Sequence, residues 1–397
     1  MTTSSWVRFG TVLLGVALLA PGPLAGQSLI GSGGLGLPMY PANARARALG
    51  GEGVGLLGGN LNPADLASST GLLIPTVNFT MQPSWGSGVV EGESLTARGT
   101  RFPLLGIAYP VVTVDGMVTL TFSSFMDQRW EAQEEGTEIL AGVPTPVTNT
   151  FKSNGGIAAL TLGWAQRLGR SLSVAVSAGL HTGSVTRTYI REFDSPPLST
   201  DEMVPFTDGG KWQYQGPKLG IGAVWDPFSV IRLAGSVDWS GELDAKPSSD
   251  TKGDAASYAI PTVIRLGASG VLTPRLSLNV GMSFADWIAP EGNSLEPGTV
   301  AGGVWNLGAG LELEASGFGG RTIPIRLGVR RSDLPFLFEE EKPREFVYSG
   351  GLGLNLTQAD RFVLAAVDLA VERGDREAGT FKEEFWRGTI TFRVSGW

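Results

Sequence analysis

In the stretch TIPIRLGVR, Arg326 and Arg330 stand four residues apart and alternate with Ile323, Ile325, Leu327 and Val329. An extended chain places both arginines on one face and the aliphatic residues on the other. Their forked guanidinium groups match a carboxylate in bidentate geometry. Two readings stand: they bind the carboxylate of a ligand, or they pair with acidic side chains of this chain. The same alternation puts Arg232, Asp238, Arg265, Glu312, Asp368, Glu372, Arg387 and Arg393 on that kind of face, beside the apolar Phe125, Val263, Phe362 and Leu364. Covalent catalysis has little to draw on. A nucleophile or activated water needs a general base, His181 is the single histidine and there is no cysteine. The spacing from Ser177 and Gly179 turns His181 to the polar face as well. No enzymatic activity, metal or cofactor is expected.

The elements carrying these residues read as strands. In RLSLNVGMSFADW, Leu276, Leu278, Val280, Met282 and Phe284 alternate with Ser277, Asn279, Gly281 and Ser283, the period of a chain with one apolar and one small or polar face. Roughly fourteen such strands are counted, near 72–82, 101–111, 117–130, 150–167, 172–189, 211–225, 231–240, 257–272, 276–288, 299–314, 322–331, 345–356, 361–373 and 383–394. Short connections such as LGRS, DPFS, LTPR and TQAD take turns with long ones at 83–100, 131–149, 190–210, 241–256, 289–298, 332–344 and 374–382. An even strand number, alternating connections and an apolar outward face are the marks of an all-β transmembrane antiparallel barrel with lipid outside and both ends periplasmic. Trp85, Trp130, Trp212, Trp239, Trp287 and Trp386 fall towards strand ends, where a headgroup girdle is expected. The net charge of -8 without a basic stripe excludes nucleic acid as a partner.

The first residues are different. Arg8 precedes an apolar run, Val12 to Ala20, broken by Pro21, Gly22 and Pro23; this reads as a signal peptide over residues 1–26 and as Sec-type export. Residues 27–71 are Gly-rich, with ANARARALGGEG showing short helical potential and GGNLNPADLASS forming a turn cluster. A fourteen-strand lumen is wide enough to need filling, and this segment is the candidate plug, leaving 72–397 as the barrel. Within it Asn60, Asn62, Pro63 and Ala64 make a rigid elbow expected to cap a helical turn over Ala64 to Ala67.

The order of export signal, ARALGG, NLNPADLA and a barrel of this size resembles the FadL family of outer-membrane long-chain fatty acid and hydrocarbon transporters, whose N-terminal hatch carries an Asn-Pro-Ala motif matched here by Asn62, Pro63 and Ala64. The resemblance implies that a hydrophobic small molecule is captured outside, enters the lumen as the hatch shifts, and leaves sideways into outer-membrane lipid through a kinked strand. Strand GMVTLTFSSFMDQRW has no internal Gly or Pro at that place, only Ser123 and Ser124. Candidate substrate contacts are Phe125, Phe362, Leu364, Arg326, Arg330, Phe336 and Phe338; the last two lie in SDLPFLFEEEKP, read as an exposed capture patch or interface anchor. The terminal Trp397 suits recognition by the barrel-assembly machinery. The alternative function is a non-transporting interaction barrel of a secretion or envelope complex.

Overall fold

The structure, a computed structural model, describes residues 28, 31, 34–40, 42–90, 93–140, 142–193, 204–287, 301–316, 322–338, 340–359 and 362–396. The segment read as a signal peptide, the 289–298 connection and Trp397 lie outside them.

Alternation folds the chain into one antiparallel sheet that closes on itself. In chain order its strands are β1 (Leu37–Pro38), β2 (Thr76–Val90), β3 (Glu93–Val111), β4 (Gly116–Asp127), β5 (Trp130–Leu140), β6 (Val143–Leu168), β7 (Leu172–Phe193), β8 (Phe206–Phe228) and β9 (Ile231–Ser240). They continue as β10 (Glu242–Pro247), β11 (Ala256–Ala259), β12 (Val263–Thr273), β13 (Leu276–Trp287), β14 (Gly302–Ser316), β15 (Thr322–Asp333), β16 (Arg344–Ala359), β17 (Phe362–Ala378) and β18 (Phe381–Ser395). Fourteen of them, β2 to β4, β6 to β9 and β12 to β18, form the closed wall, as the strand count predicts. β18 meets β2 with Trp386 opposite Trp85 and Ile390 opposite Met81. Pairing of the last strand with the first closes the sheet, the condition for strands to cross a lipid layer. Leu162, Ile221 and Leu327 stand exposed on the outer face, while Thr80, Thr121, Ser283 and Thr391 are buried on the inner one.

The wall extends further than the apolar pattern. Much of the chain read as long loops at 83–100, 131–149, 190–210 and 374–382 continues the strands as paired hairpins, β2 with β3 as far as Val90 opposite Glu93 and β5 with β6 as far as Leu140 opposite Val143. Polar, charged and small residues interrupt the apolar alternation in these segments, yet backbone pairing continues to satisfy their polar groups. Trp287 is also placed differently: it is buried inside the lumen, while Trp85, Trp239 and Trp386 stand exposed.

Residues 34–40 and 42–71 lie inside the wall. Helix α1 (Ala44–Ala48), capped by Asn43 accepting from the Ala46 N–H at 3.0 Å, packs on β15 to β18. A 3-10 turn over Leu66–Gly71 packs on β6 to β8, two residues later than the turn read from the sequence. Wall glycines make the seat. A Cβ at Gly308 or Gly328 would collide with the backbone of Gly50, and one at Gly351 would lie 2.6 Å from the Ala48 Cβ. Absent side chains let the two backbones approach directly.

Candidate functional site

β3 and β4 pair only from Leu104 opposite Ser123 to Val111 opposite Gly116. Beyond that point β3 continues on β2 alone, and β4 continues against β6. The cause is a register shift in β4 between Ser124 and Met126, which leaves Phe125 as an extra residue; a bulge bends its strand and increases the local twist. The bend therefore needs no glycine or proline. The edge it frees is taken from within the lumen by β1, with Leu37 opposite Asp127, Pro38 opposite Met126, and the Met39 N–H donating to the Phe125 carbonyl at 2.8 Å. Side chains bridge the rest of the slit. Ser124 Oγ donates to the Phe102 carbonyl at 3.2 Å, Arg129 Nη1 to the Thr100 carbonyl at 3.1 Å, and Arg101 Nε to Asp127 Oδ2 at 2.6 Å.

A cavity of about 820 Å³ occupies this slit. It is lined by Phe79, Phe102 and Phe122, which are exposed on the outer face, and by the inner-side Met39, Met81 and Met126. A second cavity of about 90 Å³ lies deeper in the lumen and shares Met39, Ser124 and Met126 with the first. Two flexible thioethers thus stand between them.

The deeper chamber has an apolar side made by Phe125, Ile260, Val263, Trp287 and Val304. Its polar side is internally paired: Arg265 reaches Asp238 at 2.7 Å and Glu52 at 3.3 Å, and Lys218 reaches Asp238 at 3.3 Å. Tyr40 donates to Asn306 Oδ1 at 2.7 Å. Burial first, and Glu52 second, push the Tyr40 hydroxyl above its ordinary value, so it remains a neutral donor. His181 is buried against the Phe125 ring at 4.4 Å between centroids, with Nε2 3.0 Å from Ser240 Oγ.

Arg326 and Arg330 take the second of their two readings. Arg326 bonds Glu312 and Asp368, each at 2.6 Å, and Arg45 of the N-terminal segment shares Glu312 at 2.7 Å. Arg330 bonds Glu345 at 2.6 Å and Glu372 at 3.1 Å. Arg47 of the segment lies 4.0 Å from Glu372 and donates to the Tyr40 carbonyl; burial lowers its guanidinium to about 10, which leaves it charged at neutral pH. These charges brace the segment against the wall.

Of the apolar candidates, Phe125 lines the chamber. Phe362 and Leu364 lie further towards the turn end than Ala370, the wall residue that clusters with α1, and line neither cavity. Phe336 and Phe338 form no exposed patch. Phe336 is buried with Leu334 and Leu37, Phe338 packs against this group, and Pro335 lines the chamber. An apolar run in the loop has found apolar partners inside the barrel mouth. In the elbow, Asn62 Nδ2 donates to the Glu52 and Gly53 carbonyls at 2.9 and 3.1 Å, and Oδ1 accepts from the Ala64 N–H at 3.0 Å. Asn60 accepts from the Asn43 side chain at 2.8 Å, and the Ala64 carbonyl accepts from Ser236 Oγ at 2.6 Å. Pro63 sits between, in the turn. Sequence reasoning missed Arg101, Asp127 and Arg129. The one local signal was charge in MDQR ending an otherwise apolar and hydroxylic strand.

No protein-family model matches the sequence, and no curated protein sequence matches it. Solved structures do match. A Pseudomonas aeruginosa FadL homologue aligns over 91% of this chain and 99% of its own at 12% identity and a TM-score of 0.59. The Pseudomonas putida toluene transporter TodX aligns over 90% and 98% at 11% identity and 0.53, and the CymD monoaromatic hydrocarbon channel over 94% and 98% at 13% and 0.51. The chain has the fold of the FadL-type channels.

Proposed function

We propose that the protein carries hydrophobic small molecules across the outer membrane, from the barrel mouth into the lumen and then sideways through the slit between β3 and β4. The observation that carries this reading is the 820 Å³ cavity, whose lining combines lumen-side methionines with outward phenylalanines. An axial path is obstructed by residues 42–71, seated on wall glycines and braced by Arg45 and Arg47. A slit to lipid suits an apolar cargo, because the molecule goes from one low-polarity surface to another without crossing water. The FadL homologue and the two hydrocarbon channels support the reading by their shared fold. Movement of the N-terminal segment, coupled to ligand binding, is the gate.

The test is uptake by cells that lack their own channel of this fold and express this one. Labelled dodecanoate and toluene should enter faster, while a hydrophilic sugar should not. If neither apolar compound gains entry and a stable partner complex is co-purified, transport is wrong and the interaction-barrel reading replaces it.

A further inference from the structure

The slit carries a charge arrangement that an apolar cargo does not use. Arg101 is only 7% exposed, and its Nε is committed to Asp127 Oδ2 at 2.6 Å. Arg129 grips the same carboxylate, with Nε on Oδ1 at 3.0 Å and Nη2 on Oδ2 at 2.9 Å. Two guanidinium groups thus share one carboxylate, which leaves one positive charge over. The two terminal nitrogens of Arg101 have no hydrogen-bond partner among the described residues, and Arg101 lines the 820 Å³ cavity. The neighbouring cluster does not cancel the excess: Arg330, Arg376 and Arg387 already contend for Glu345, Glu372 and Glu383. Those two nitrogens open onto the cavity, where an anion that enters can reach them. Around it stand Phe79, Met81, Phe102, Phe122, Met126 and Ile157.

We propose that Arg101 forms a headgroup subsite for a singly charged oxyanion on an apolar body, separate from the deeper chamber. The forked nitrogens hold the oxyanion, and the phenylalanines and methionines hold the chain. The shared chemistry has two sources, the carboxylate of a free amphiphile in passage or the phosphate of a membrane lipid that lodges in the slit from outside. The inference rests on the reading of the slit as an opening to lipid.

The test uses the full barrel in zwitterionic lipid discs and measures binding of dodecanoate and dodecanol, each corrected for partition into empty discs. Dodecanoate should bind at least about tenfold tighter, the worth of one charge-assisted contact. The ratio should fall towards one in Arg101→Gln and be largely kept in Arg101→Lys. Asp127 retains Arg129 in both variants, so the wall keeps its bridge. In a second arm, native mass spectrometry after incubation with phosphatidylglycerol should show retained lipid lost in R101Q if phosphate is the source. Either source sustains the subsite. A wild-type ratio near one with no retained lipid overturns the subsite and leaves transport standing. Binding of neither dodecanoate nor dodecanol overturns both.

Discussion

Pro38 of the lumenal segment lies opposite Met126 of the wall, next to the bond from the Met39 N–H to the Phe125 carbonyl. β1 therefore occupies the edge of β4 that β3 leaves, and the same few residues separate the chamber from the slit. A backbone bond contributes only about 1 kcal/mol net. Burying an apolar ligand supplies about 25 cal/mol per Å², enough to exchange this contact for another.

Cross-linking this pair should close the slit. The chain has no cysteine, so Pro38→Cys with Met126→Cys creates a unique pair, and residues opposite each other in an antiparallel ladder lie within the ~4.4–6.8 Å that a disulfide spans. Oxidation should abolish dodecanoate uptake and reductant should restore it. Equal uptake in both states would remove β1 from the path.

Gly308→Val should unseat the N-terminal segment, because the new side chain would collide with the Gly50 carbonyl. The barrel should remain heat-modifiable on gels while single-channel conductance in planar bilayers rises severalfold. Wild-type conductance would show that the segment does not limit the axial path.

Asn62→Ala removes both ends of the elbow's brace and leaves the Glu52 and Gly53 carbonyls and the Ala64 N–H without this partner. Each buried group left unpaired costs about 1–3 kcal/mol. Basal leak of a small hydrophilic dye from loaded vesicles should increase; an unchanged leak reduces the elbow to a turn.

Phe336→Ala should loosen the loop that roofs the chamber. Truncating a buried phenylalanine costs about 3–5 kcal/mol, and Phe336 is 1% exposed. A glutamate-specific protease should then cut faster after Glu341, whose backbone otherwise pairs with that of Phe338 in both directions at 2.9 Å. Unchanged cleavage would mean the roof is held elsewhere.

Asp65 gives a pH dependence of predictable sign. Burial raises its pKa, against bonds from Ser68 and Gly55 and the Arg232 charge. Between the ordinary carboxylate value of about 3.9 and the raised native value, the folded chain holds a proton that the unfolded chain releases. Stability contributed by this site therefore falls as pH rises through that window and is level above it. Thermal unfolding followed upward from pH 3.5 should show this slope, and Asp65→Asn should flatten it; parallel curves would exclude the assignment.

By itself the sequence determined the wall. Side-chain direction in a strand follows residue parity, a local property, so alternation through Leu276 to Phe284 told outside from inside without knowledge of any partner. The same parity, followed three residues further, would have turned Trp287 inward with Ser283 and Ala285. Which groups the inward arginines meet was not local. Arg326 finds Asp368 and Arg330 finds Glu372, each 42 positions along the chain, because strand register and barrel closure stack their rows side by side. The slit, too, was decided only in three dimensions. A bulge at Phe125 is a mismatch in count between two strands, and neither strand's sequence states its partner's register. Phe336 looked exposed for the same reason: its burial comes from Leu37, some three hundred residues earlier, brought to the barrel mouth when the N-terminal segment fills the lumen.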